Sequence, residues 1–182
     1  MLRFSYRTFA LLALVATIVG TLFVCWRQGA AYAAGDAPQR KNDPAVERTR
    51  RQVKMLDDLY KTTIVFITNT YVKSDGDVAA GEIARDLFAA MREKGWHDAR
   101  LLDATGHPTN DENAPREGFE KAAVKKILAG ETYVEEVTTE KGKSFLLAAT
   151  VVPVVNEKCV ICHKGWKVGE VVGAVSYKLP IE

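Results

Sequence analysis

The sequence predicts an α+β fold: a long N-terminal helix followed by an antiparallel sheet with helices grouped on it. Three observations predict it. A seven-residue apolar repeat begins at Pro44, a pair of shorter helical patterns flanks one isolated strand, and three strand patterns close together fill the C-terminal third.

Length and composition set the frame. The chain has 182 residues, 47% of them apolar and 26% charged, which suits one globular domain plus a targeting segment. The formal net charge is +2 and the signs are interspersed, as in Arg85-Asp86 and Glu120-Lys121, so no field suited to nucleic acid exists. Residues 1–33 read as a secretory signal peptide. Arg3 and Arg7 form a basic start, residues 9–26 are an uncharged apolar run, and Ala31-Tyr32-Ala33 is an A-x-A cleavage pattern that leaves Ala34 as the new N-terminus. The run is also long enough to serve as an uncleaved membrane anchor. Either way the arginines keep the N-terminus inside and residues 34–182 are exported, to the periplasm or its equivalent, soluble or held at the inner membrane. Cys25 follows Val24 and is read as an apolar residue of that segment. Residues 34–43 are a polar, proline-containing linker, and residues 44–179 are expected to form a single domain.

Val46, Val53, Tyr60 and Ile67 recur every seven residues, with Leu56, Thr63 and Ile64 between them, so residues 44–71 are expected to be one amphipathic helix. At 1.5 Å per residue it is about 40 Å long, more than a small domain needs, and its excess length is expected to pack against a second copy. Ser74-Asp75-Gly76-Asp77 is a turn. A second helix carries Val78, Ile83, Leu87, Phe88 and Met91 on its apolar face and closes at Gly95. Residues 99–104 read as a strand and Thr105-Gly106-His107-Pro108 as a turn. Asn113-Ala114-Pro115 is expected to cap a third helix that runs through Phe119, Ala123, Ile127 and Leu128 to Gly130. Strands follow over 132–139, 144–155 and 170–179, the first two joined by a hairpin at Lys141-Gly142-Lys143. This order resembles the PAS/Cache type of sensor domain. That resemblance implies a five-stranded sheet with helices inserted after the second strand.

The chemistry concentrates in Cys159-Val160-Ile161-Cys162-His163, the attachment sequence of c-type haem. Two thiols two residues apart reach the two vinyl groups of one porphyrin as thioethers, and the next residue, His163, then lies under the iron as its proximal ligand. Cys159 and Cys162 are the only cysteines beyond residue 33. A disulfide between them would close too short a loop to stabilise a fold. The motif is expected in a hairpin-like connection flanked by Gly165 and Gly169. Besides a chance occurrence, which export and the lack of any other mature cysteine disfavour, the motif has two chemical rivals. A redox dithiol would need its first cysteine at a helix N-terminus inside a βαβ unit. A zinc site would need a fourth ligand and tolerates adjacent Cys162 and His163 poorly. One covalent haem c is the reading taken. Trp166, so close to the motif, is assigned to the haem wall. Tyr60, Phe66, Tyr71, Trp96 and Tyr177 are ordinary core candidates.

Several segments together carry a family resemblance: Tyr71-Val72-Lys73, Gly95-Trp96, Leu102-Asp103-Ala104-Thr105-Gly106, Asn110-x-x-Asn113-Ala114-Pro115 with Phe119-Glu120, and the haem motif ahead of Gly173-Ala174-Val175. They resemble the exported c-type haem family with a PAS-like fold, long filed as a domain of unknown function. The resemblance implies a haem domain suggested to sense redox state or small ligands. Relatives can supply a distal cysteine near the helices. This chain has none there, so the sixth iron ligand is sought among His97, His107, Met55 and Met91, with His107 preferred among them and an empty or water-occupied distal site the equal alternative. The expected partners are haem, a diatomic ligand or a redox protein, and a second copy through the N-terminal helix. The main alternative to sensing is electron transfer. A haem enzyme ranks last because no distal acid–base pair is evident.

Overall fold

The computed structural model describes residues 43–73 and 77–182. The expected targeting segment with its alternative as an anchor, Cys25, nearly all of the expected linker and most of the Ser74–Asp77 turn lie outside the described residues. Among the described residues no helix is long and apolar enough to cross a membrane.

Helix α1, Pro44–Tyr71, starts where the sequence signals it: the Asp43 side chain accepts a hydrogen bond from Ala45 N (2.8 Å) and Pro44 occupies the first turn. Its 28 residues extend about 42 Å. Val46, Val53 and Tyr60 of the heptad stripe are buried, joined by Thr49 and Thr68. They are buried against the chain's own sheet, not against a second copy, and burying each valine contributes roughly 1.5–3 kcal/mol. The surplus surface is a different stripe: Met55, Leu59 and Phe66 are 63%, 58% and 65% exposed.

Helix α2, Ala80–Glu93, ends at Lys94 and Gly95, the glycine having φ 75°. Its buried residues are Ala84 and Phe88, whereas Val78 lies outside the helix and Ile83 and Leu87 remain partly exposed. The expected apolar face is thus rotated, because the narrow Ala84 lets Phe88 reach the Tyr60 ring edge-on at 5.0 Å.

Strand β1 spans Asp98–Asp103 and helix α3 spans Phe119–Leu128. The third helix does not begin at Asn113-Ala114-Pro115. Asn110 instead caps a single 3-10 turn, Asp111–Asn113. Ala114, preceding a proline, is extended, and Gly118 at φ 84° redirects the chain into α3. Strands β2 (Tyr133–Glu140), β3 (Lys143–Pro153) and β4 (Val171–Pro180) follow, and a short helix α4, Glu157–Cys162, lies between β3 and β4. Lys141 and Gly142 both have positive φ, the two-residue turn that matches strand twist.

The sheet is antiparallel throughout, in the order β1-β4-β3-β2. Among the described residues it has four strands where the PAS/Cache resemblance implied five. The second strand is the one replaced. After β1 the Asp103 carboxylate accepts from Thr105 Oγ1 and Gly106 N, turning the chain off the edge, and Pro108 removes a ladder donor. Glycine is required at position 173, where a Cβ would lie 2.5 Å from Leu102 O. Alternating residues divide the two faces. Ala99, Leu146, Ala148, Val175, Tyr177 and Leu179 pack under α1 and α2; Leu102, Val134, Ala149 and Ala174 pack under α3.

Polar ties fix α1 on its face. Arg50 and Glu135 form a two-pronged pair, reinforced by Tyr133. Asp57 accepts from Thr150 Oγ1 (2.5 Å) and Tyr177 OH (2.9 Å), while Lys61 Nζ bridges Asp57, Thr150 and Val151 O.

Candidate functional site

The cysteine motif is not in a plain hairpin connection. Asn156 caps α4, its Oδ1 accepting from Lys158 N at 2.9 Å, with Glu157 in the first turn. Cys159 and Cys162 occupy this helix three residues apart, so both thiols lie on one face one turn apart. Both are free, and Cys159 Sγ donates to Asn156 Oδ1 at 3.8 Å. The helix ends because His163 leaves helical geometry (φ −109°, ψ 71°), although its N–H still reaches Cys159 O at 3.2 Å. Gly165 and Gly169, both at positive φ, return the chain to β4.

The His163 and Trp166 rings stack with centroids 3.8 Å apart and planes 2° apart. Stacking fixes the plane of the imidazole and leaves its edge nitrogens clear of the Trp166 ring. Among the described residues those nitrogens make no side-chain hydrogen bond. Burial pushes the imidazole below its ordinary pKa, which favours the neutral, metal-ligating form.

Lys158 carries the motif helix to its neighbour. Its ammonium donates to Asn69 O (2.5 Å) and Val72 O (3.2 Å), at the C-terminus of α1. The last turn of α1 has no basic residue of its own, so Lys158 supplies the cation that its orphan carbonyls favour.

The proposed sixth ligands separate into two places. His97 precedes β1, and its Nε2 pairs with Tyr60 OH at 2.8 Å in a setting whose burial lowers its pKa. Met55 and Met91 line a groove with it, together with Trp96 and Leu179. That groove is at the C-terminal end of β4, whereas the motif leads into its N-terminal end. From Val171 to Lys178, the partner of Asp98, the strand covers about 23 Å. His107 is at the motif's end of the sheet, since Ala104 N bonds Val172 O, but its side chain is exposed. Of the aromatic candidates, Tyr60 and Tyr177 are core, while Phe66, Tyr71 and Trp96 are each more than 60% exposed. Trp166 alone stands against the motif.

Sequence reasoning missed four participants. Asn156 was legible as a cap followed by an acid. Asp57 and Lys61 were legible only as an i,i+4 pair. Lys158 gave no signal, because its partners are backbone carbonyls almost ninety residues earlier. The helix under Cys159 also revives part of the dithiol argument. It joins two antiparallel neighbours, however, and is no crossover of a βαβ unit. Among the described residues no group of three or more His, Cys, Asp or Glu side chains is arranged to hold a bare metal ion.

A long helix and an antiparallel sheet layered between helices, with a Cys-x-x-Cys-His helix at one sheet end, define a class of small α+β domain. The family model described as Tll0287-like matches residues 42–180, and the chain belongs to that family. The crystal structure of the cyanobacterial heme-protein Tll0287 is similar in fold, with TM-score 0.53 and 14% identity over 76% of this chain and 96% of that one. No curated protein matches the chain.

Proposed function

We propose that the chain is an exported haem-binding module that senses redox state or a small gas and passes the change to another protein. One haem c is held covalently by Cys159 and Cys162 and ligated by His163. The observation that carries this reading is the geometry of α4: two free thiols on one face, followed at once by a neutral imidazole whose plane Trp166 fixes. The similarity to a cyanobacterial haem protein supports it. When bound, the haem supplies an iron able to change oxidation state and to take a diatomic ligand. The chain's own residues tether it, orient the proximal ring and connect α4 to α1 through Lys158. With Met55, Met91 and His97 at the far end of the sheet, His107 is the candidate for the sixth position and holds it weakly.

Acid-acetone extraction followed by intact mass tests the attachment. The polypeptide is expected to retain the haem mass, and Cys159→Ala or Cys162→Ala to impair attachment. A bare polypeptide mass would overturn it. Carbon monoxide tests the role: the reduced protein is expected to bind it rapidly. A low-spin spectrum unaltered under saturating gas would favour electron transfer.

A further inference from the structure

Three of the four groups sought as iron ligands gather in one place away from the motif. Met55, Met91 and His97 line a groove of about 560 Å³, together with Trp96. Met55 and Met91 are the only methionines beyond Met1, so every thioether of the described residues lines this groove. A helix stop assembles most of the set. Gly95, at φ 75°, donates its N–H to Arg92 O (2.9 Å), and Trp96 N–H reaches back to Met91 O (3.3 Å). That stop folds Trp96 and His97 beside the last turn of α2, where Met91 is. Met55 lines the groove from α1. Tyr60 OH closes off His97 Nε2 at 2.8 Å, and among the described residues no hydrogen bond reaches Nδ1. The tautomer that donates from Nε2 to the Tyr60 oxygen carries its lone pair on Nδ1. Ligating histidines are usually oriented in this way, by a hydrogen bond on the far nitrogen. Met55 and Trp96 are 63% and 69% exposed, which gives an ion a way in. Glu182 is the only charged lining residue, and its main-chain oxygen already accepts from Arg48 Nη2 at 2.6 Å.

We propose that this groove is a binding site for monovalent copper, ligated by the thioethers of Met55 and Met91 and by His97 Nδ1, with the Trp96 ring beside the cation. The softness of the donors decides the ion. Magnesium and calcium want oxygen ligands, whereas thioethers select monovalent copper and imidazole accepts it. An indole face adds attraction for a cation. Methionine has three rotatable bonds, so two sulfurs on different helices can close on one ion without moving the backbone. The donors are all neutral, so the ion keeps its charge in the groove and the thioethers need lose no proton to bind it. The site stands on the groove alone and is independent of the haem reading, because the length of β4 separates it from the motif.

The test titrates the haem-loaded full chain with monovalent copper, kept reduced by ascorbate and buffered by bathocuproine disulfonate. One tightly held ion per chain is expected, with sulfur and nitrogen neighbours in its X-ray absorption spectrum and a Soret band the same with and without copper. Met55→Leu with Met91→Leu keeps the side-chain bulk, removes both sulfurs and is expected to abolish binding. Tyr60→Phe keeps the core ring, removes the hydroxyl that orients His97 and is expected to weaken binding about tenfold. Zinc is not expected to displace the copper. Undiminished affinity in the double methionine variant, or a copper spectrum with oxygen neighbours only, would overturn the site. A chain that carries no haem would defeat the haem reading and leave Cys159 and Cys162 free to compete for the ion. Blocking those thiols with N-ethylmaleimide is then expected to leave one copper bound, and loss of all copper on blocking would overturn the site.

Discussion

His163 and His97 are both half-buried histidines with lowered pKa values, and their surroundings give them different chemistry. His163 faces a tryptophan and presents its ring edge, while His97 is closed off by the Tyr60 hydroxyl. His163→Ala is therefore expected to shift the Soret band and reduce haem incorporation, and His97→Ala to do neither to a comparable degree; parallel absorption spectra at equal protein concentration distinguish them. His97 should register instead in pH-dependent stability. Burial, the largest cause, pushes its pKa below the ordinary 6.5, with the Asp98 charge opposing. The unfolded chain then binds more protons than the folded one between the two values. The stability contributed by neutral His97 is complete above pH 6.5 and is lost as pH falls through its lower folded value. His97→Gln, which keeps a partner for Tyr60, is expected to flatten the acid side of the profile. Denaturant titrations at neutral and mildly acidic pH that show equal slopes for variant and parent would contradict this.

The element that links the site to the rest of the domain is α4, a short helix unable to persist without tertiary contacts. Its anchor is Lys158, which reaches two carbonyls at the end of α1. Hydrogen bonds from a charged donor contribute about 1.5–3 kcal/mol each when well buried, and less at this partly exposed site. Lys158→Ala is expected to let the last turn of α1 fray, so amides of residues 68–72 should exchange faster while those of Val53 and Leu146 keep their protection. Lys158→Arg should restore part of the loss. If exchange at residues 68–72 stays at the parent rate in Lys158→Ala, the two helices are not coupled by this contact. Under the haem reading proposed above, the pair would supply a physical route from iron to helix, because any change that tilts α4 acts on the carbonyls of Asn69 and Val72.

At the scale of the molecule, α1 is both a core element and an outer surface. Removing residues 44–58 would take away Val46, Thr49 and Val53, all buried, and is expected to unfold the domain rather than yield a trimmed one. A second copy would have to dock on the opposite stripe. Met55, Leu59 and Phe66 leave a row of exposed apolar side chains at helical spacing, the kind of patch that marks an interaction surface. Replacing Leu59 and Phe66 together by glutamate is expected to move a dimer to monomer without loss of haem, read by sedimentation velocity. A parent protein that sediments as a monomer at all concentrations would remove the case for a pair.

The sequence by itself determined the class of fold, the order of the larger elements and where the Cys-x-x-Cys-His motif falls among them. These are local properties: a seven-residue repeat, strand alternation, a turn of Lys141 and Gly142, and a five-residue Cys-x-x-Cys-His pattern read from its spacing alone. Tertiary structure decided what spacing cannot encode. The heptad stripe of α1 pairs with the chain's own sheet, because Ala99, Ala148 and Tyr177 present a matching face to it. Pro115 and Gly118 moved the start of α3, and a carboxylate turn at Asp103 took the place of a second strand. Asn156 made a helix of the motif. The remote partners were invisible for the same reason: Lys158 meets carbonyls, and Met55, Met91 and His97 are placed away from the motif by the length of β4, a separation that exists only once the strands have paired.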